Sequence, residues 1–167
     1  MPWRFWALSI ICAVLPDADV IGFALGVNYE DMLGHRGLSH SLSFAVVCGV
    51  AVVWCAGRHL TRFGKPWWSL MLYFTVVTAS HGVLDAMTNG GLGIAFFSPF
   101  DPTRYFFTWR PVQVAPISLA AFFSAWGIRI MLSEILYIWL PTVILCGLIC
   151  LVRSVCTRQR AVIPPVC

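Results

Sequence analysis

Charge is what this chain has least of: 11% of its 167 residues are Asp, Glu, Lys or Arg, against 59% that are apolar. A soluble domain carries about 25% charged residues, so a lipid-embedded protein is the class that fits. Nucleic-acid binding is excluded on the same ground, because the few basic residues flank apolar runs and form no continuous stripe with stacking aromatics. Paired cysteine motifs are missing as well. The seven cysteines are odd in number with no CxxC among them, and Cys12, Cys48, Cys55, Cys146 and Cys150 lie inside apolar runs. That placement argues for packing rather than disulfide, zinc or redox work. Cys156 and Cys167 fall in a basic tail expected to face the reducing cytoplasm. No internal repeat occurs, and no small-x-small cleavage site follows the first apolar run, which therefore reads as a membrane helix rather than a cleaved signal.

What is present is a series of apolar segments. The first runs from Trp3 to Leu15 and is ended by Pro16. It is short for a span, which needs about 20 residues. A second runs from Leu42 to Ala56, with Ser39 or Ser41 as its N-cap and Gly57 at its end. The third covers Trp67 to Ala86 and opens on a tryptophan pair suited to a membrane interface. The fourth, Ile130 to Val152, contains Glu134 and Pro141, so a kink is expected there. Residues 89–129 form a connection rich in Gly, Pro and aromatics, and its later part, Val112 to Gly127, is apolar enough to lie in the interface or re-enter the membrane. The expected fold is all-α: one membrane-embedded domain over residues 1–167, with about four membrane helices plus that interfacial or re-entrant segment.

The net charge of +4 hides an uneven layout. Arg58, Arg62 and Lys65 share one short loop, and Arg153, Arg158 and Arg160 sit near the C-terminus. With both groups cytoplasmic, four crossings place both termini inside and put the loops after the first and third segments on the external side.

Three polar clusters then fall on that external rim: Pro16-Asp17-Ala18-Asp19, Gly34 to Ser41, and Ser80 to Thr88. They hold three of the four histidines and three of the seven acidic residues. Uncompensated charge beside lipid costs several kcal/mol, and a metal ion is the simplest purpose for converging imidazoles and carboxylates. His81 and Asp85, four apart on a helix, point the same way, and Thr88 one turn on can orient a carboxylate or a water. An extended i, i+2 arrangement after Pro16 directs Asp17 and Asp19 to one side. Gly34 and Gly37 suggest a tight turn that presents His35 and Arg36, with His40 beginning the next helix. Arg36 is the natural holder of a phosphate or carboxylate. His59, in the basic loop, reads as solvated.

Together these pieces resemble the YdjM-like family of bacterial inner-membrane proteins, usually described as membrane-bound metal-dependent hydrolases. The resemblance rests on Leu15-Pro16-Asp17-Ala18-Asp19, His35-Arg36-Gly37-Leu38-Ser39-His40-Ser41, Ser80-His81-Gly82-Val83-Leu84-Asp85 with Thr88, then Gly91 and Ser98-Pro99-Phe100. It implies a hydrolase whose external, periplasmic rim holds one or two divalent ions, zinc foremost, drawn from Asp17, Asp19, His35, His40, His81 and Asp85. Arg36, His81 and Asp85 are the expected catalytic groups. The implied partners are membrane lipids and an anionic substrate, a phosphodiester or lipid headgroup. Family members usually begin with a further histidine-bearing membrane segment, so this chain is expected to be a shortened member. Two rival readings are a metal or small-solute transporter, which wants its ligands near the midplane, and a structural membrane protein without chemistry.

Overall fold

The computed structural model describes residues 3–116 and 118–162, apart from the side chains of residues 119 and 158–162. Arg158 and Arg160 therefore enter only as backbone, and Cys167 lies outside the described residues. The chain divides between Arg110 and Pro111 into two compact units. Among the described residues regular structure is helical, apart from isolated bridge residues, of which Ile94 and Tyr105 pair antiparallel.

In the first unit, α1 spans Trp3–Val14 and passes into a 3-10 turn, Leu15–Val20, and a single helical turn, α2, Ile21–Ala24. The helix α3, Leu42–Ala56, starts where Ser41 accepts a hydrogen bond from the Phe44 amide at 3.1 Å and stops at Gly57, as the capping signals predict. Next comes α4, Lys65–Ala86, with Pro66 in its first turn, where the missing N–H is harmless. The stacked Phe5–Tyr73 rings and the Ala13 carbonyl's bond to His81 show α1 and α4 running parallel. Gly49 of α3 meets Met71 and Thr75 near the middle of α4, while Gly82 near its end faces His40. Hence α3 runs antiparallel to α4, and the Arg58–Lys65 loop lies at the opposite end from Asp17, His40 and His81.

Cys12, Val53, Trp67 and Phe74 form the buried core of this trio, with Phe5 and Leu8 packed against it. The outer faces remain apolar: Val47 on α3 and Leu72 and Val76 on α4 are each more than half exposed. Soluble monomers rarely expose apolar surface on this scale; lipid is its natural solvent. Of the cysteines in apolar runs, Cys12 and Cys48 are buried as expected, whereas Cys55, Cys146 and Cys150 point outward, so packing describes only two of the five.

The second unit contains a short helix α5, Leu119–Phe122, then α6, Ala125–Glu134, a π-helical turn, Ile135–Trp139, and α7, Leu140–Val162. The wide turn sits just before Pro141, which has no N–H for the carbonyl of residue 137 and whose ring crowds it. The anticipated kink thus takes the form of a π segment. Among the described residues Glu134 has no ion-pair partner within 4 Å. Two stretches are long and apolar enough to cross a membrane, Trp3–Ala24 and Ala125–Thr157; Leu42–Ala56 is a shorter apolar helix.

The α3–α4 contact depends on a residue without a side chain. A Cβ on Gly49 would fall on Thr75 Oγ1 and lie 2.7 Å from the Met71 carbonyl oxygen. Gly49→Val should therefore destabilise the detergent-solubilised protein by about 1–3 kcal/mol, the usual range for overpacking. Thermal unfolding followed by circular dichroism would show a lowered midpoint.

Candidate metal centre

Four local structures meet at the cluster end of the first unit. The 3-10 turn supplies Asp17 and Asp19, the 28–41 loop supplies His35 and Arg36 and ends in a second 3-10 turn, Leu38–His40, and the last turns of α4 supply His81 and Asp85. Asp17 and Asp19 are therefore not an extended pair facing one way. In a 3-10 turn residues two apart project about 240° around the axis, and the two carboxylates have different partners. His40 likewise ends a 3-10 turn instead of beginning α3, which starts at Leu42.

Asp17 looks toward two imidazoles, with His81 Nε2 at 3.1 Å and His40 Nε2 at 3.5 Å from its Oδ1. Asp85 Oδ2 faces the same nitrogens at 3.9 and 3.4 Å. These four atoms form a closed ring with edges of 3.1–3.9 Å. Yet both Nε2 atoms, though buried, lack any hydrogen bond of acceptable geometry. One ligand atom from each of Asp17, His40, His81 and Asp85 lies within 4.8 Å of all the others, and Asp19, His35 and His40 form a second such group.

The far sides of the rings explain how they are aimed. His81 Nδ1 lies 2.8 Å from the Ala13 carbonyl oxygen, an acceptor only, so the proton sits on Nδ1 and Nε2 carries the lone pair. His40 Nδ1 is hydrogen-bonded to Ser39 Oγ at 2.9 Å and lies 3.2 Å from Asp19 Oδ2. Asp19 is the hub of this outer layer: it receives His35 Nδ1 at 2.7 Å, the Ser39 hydroxyl at 2.5 Å and the Arg36 amide at 3.3 Å. A carboxylate behind an imidazole that presents its other nitrogen is the arrangement that orients metal-binding histidines.

Burial alone would lower the pKa of the His40 imidazole, but its contacts with Asp17, Asp19 and Asp85 outweigh that and raise it from 6.5 to about 10. Without a metal, the three carboxylates hold a proton on His40. A site that binds a proton this firmly has the charge to bind a cation.

Arg36 is 3% exposed and sits at a φ of 65°, in the left-handed region. Its Nε lies 3.1 Å from Asp85 Oδ2, while its terminal nitrogens donate to the Gly90 carbonyl at 2.8 Å and Thr88 Oγ1 at 3.1 Å. Arg36 thus faces Asp85 as an ion pair, although its Nε makes no hydrogen bond of acceptable geometry, and Thr88 Oγ1 accepts from this arginine rather than orienting a carboxylate or a water. Gly91 closes the pocket; at its φ of 83° a Cβ would lie 2.7 Å from Arg36 Nη1.

The structure therefore brings together all the residues singled out in the sequence: Asp17, Asp19, His35, Arg36, His40, His81 and Asp85. Sequence reasoning offered Ser39 only as a helix cap, whereas its hydroxyl donates to Asp19. That reasoning missed Arg104, which donates to the His35 and Tyr29 carbonyls at 3.0 Å and secures the loop. No motif marks Arg104; only the fold brings it to carbonyls about 70 residues away.

These features define a class, a helical membrane protein with a His/Asp cluster at one end of its bundle. The profile of the YdjM inner membrane protein family matches residues 2–160, and the chain belongs to that family. It is 38% identical over 151 residues to the inner membrane protein YbcI of Escherichia coli strain K12, covering 89% of this chain and 84% of that protein. No solved structure matches it.

Removing Arg36 leaves Asp85 beside Asp17 without its guanidinium. Arg36→Met should cost about 3–5 kcal/mol, as for a buried ion pair broken on one side. Arg36→Lys, which cannot span Asp85, Thr88 and Gly90 together, should recover only part of that loss in thermal unfolding.

Proposed function

We propose that this protein is a metal-dependent hydrolase of the inner membrane, with a divalent ion, zinc foremost, held by Asp17, His40, His81 and Asp85. The observation that carries the reading is the ring of two carboxylate oxygens and two unbonded imidazole nitrogens with edges of 3.1–3.9 Å. Tetrahedral zinc with ligand bonds of about 2.0–2.2 Å has ligand–ligand edges of about 3.3–3.6 Å, so the residues present fit the group. Charge fits too: three carboxylates (Asp17, Asp19, Asp85) less one guanidinium (Arg36) leave two negative charges, which one divalent ion balances. This favours a single ion, with Asp19 and His35 outside its immediate contacts.

A divalent ion held here would supply Lewis acidity and draw the pKa of a bound water toward neutrality; because four protein ligands fill a tetrahedral site, that water would replace the exposed Asp17 or join as a fifth ligand. The chain's own groups do the rest. Asp19 and the Ala13 carbonyl fix the two imidazoles, Arg36 restrains Asp85, and Asp17, whose side chain is 52% exposed, forms the open edge where water and an anionic ester meet the site. The position of the cluster at one end of the bundle supports hydrolysis over transport.

The same reading places the cluster on the external face. The antiparallel course of α3 and α4 and the basic loop at their other end support it, with four crossings and cytoplasmic termini. Reporter fusions after Gly34, Gly64, Gly91 and the C-terminus should alternate outside, inside, outside, inside. An external signal at Gly64 would refute this orientation.

Elemental analysis of detergent-purified protein should find about one divalent ion per chain. His81→Ala or Asp85→Ala should reduce metal affinity by more than the 10–100-fold that follows loss of an outer partner, whereas Ser43→Ala, on α3 outside the ring, should leave it unchanged. A His81→Ala protein binding metal like the parent would defeat the proposal.

A further inference from the structure

Residues 92–110 fold back on themselves through the Ile94–Tyr105 bridge and are fastened to the site. The Ala95 amide bonds the Arg36 carbonyl at 3.1 Å, the Leu42 amide bonds the Phe96 carbonyl at 3.0 Å, and the Phe107 amide bonds the Ala86 carbonyl at 3.0 Å. Arg104 adds its bond to the His35 carbonyl. This segment thus covers the ends of α3 and α4 beside Asp85, yet its large side chains face outward: Phe100 is 87% exposed, Trp109 60%, Phe97 50% and Phe107 44%. Arg110 stands among them, its guanidinium 4.5 Å from the Phe106 ring centre.

A second aromatic group lies at the other end of α4, where Phe63, Trp67 and Trp68 pack together. From Trp67 to Ala86 the helix rises about 29 Å, the thickness of a bilayer's hydrocarbon core, about 30 Å. Between these ends, α3 and α4 expose Val47, Leu72 and Val76. Aromatic residues with a cation at each end of an apolar band are the mark of two membrane interfaces.

We propose that residues 92–110 are a lipid-docking surface, embedded in one interface of the bilayer, which sets the Asp/His cluster at headgroup depth and makes a membrane phospholipid its substrate. The substrate half of the inference rests on the hydrolase reading; the docking half does not. In the reaction, water gives its oxygen to phosphorus, one P–O ester bond of the headgroup breaks, and the departing alcohol oxygen takes the proton. The carbonyl-bonded loop backbone keeps the aromatics fixed relative to Asp85, so a lipid packed against Phe100 approaches the cluster from within the membrane plane.

The test uses the full chain in nanodiscs of phosphatidylethanolamine and phosphatidylglycerol, with p-benzoylphenylalanine at Phe100, at Phe107 and, for comparison, at Val47. Illumination should yield lipid adducts at all three positions by intact mass. No adduct at Phe100 and Phe107 overturns the docking surface whatever Val47 shows. Metal-loaded protein should then cleave the nanodisc phospholipid at least tenfold faster than glycerophosphoethanolamine in water at equal concentration. Equal rates overturn the lipid assignment and keep the hydrolase, while adducts without cleavage of either compound uphold the docking surface and count against the hydrolase reading itself.

Discussion

Three carboxylates gathered at one end of an apolar bundle set the terms for the rest of this molecule. Asp17, Asp19 and Asp85 all lie within 3.5 Å of a nitrogen of His40, and near lipid their repulsion has little water to screen it. Each neighbouring feature answers that repulsion. Arg36 takes a left-handed backbone conformation to reach Asp85, and Gly91 leaves room for its guanidinium. Ser39, His35 and a backbone amide surround Asp19. Left without a hydrogen bond of acceptable geometry are Arg36 Nε and the Nε2 atoms of His40 and His81.

The scaffold is the minimum that brings these groups together. The helices α1 and α4 run parallel, so the Asp-bearing turn that follows α1 arrives beside the His81–Asp85 end of α4. The antiparallel α3 begins at that same end, immediately after His40. Close approach at Gly49 sets the spacing of α3 and α4, and the Ala13–His81 bond ties α1 to α4.

How much of this was legible follows from the range of each interaction. The C-terminal end of α3 could be read from Gly57 and its start narrowed to Ser39 or Ser41, because capping is decided within three or four residues; the structure selects Ser41. The shared face of His81 and Asp85 follows from helical periodicity alone. The aspartate pair was misread because Pro16 permits more than one continuation, and only the packed structure selects a 3-10 turn over an extended one. Arg36 was recognised as important, but its bonds to Thr88 and Gly90 could not be foreseen, because those residues lie more than 50 positions away and nothing local points to them. Membership of the inner-membrane family was legible because the order and spacing of the three motifs survive in the linear sequence.

The most direct test of the account is X-ray absorption fine structure at the zinc or cobalt edge of metal-loaded, full-length protein. The ring of Asp17, His40, His81 and Asp85 predicts a first shell of about four light atoms near 2.0–2.1 Å, with outer scattering from two imidazoles that falls to one in His81→Ala. A shell containing sulfur, an all-oxygen shell without imidazole scattering, or a spectrum unchanged by His81→Ala would contradict it.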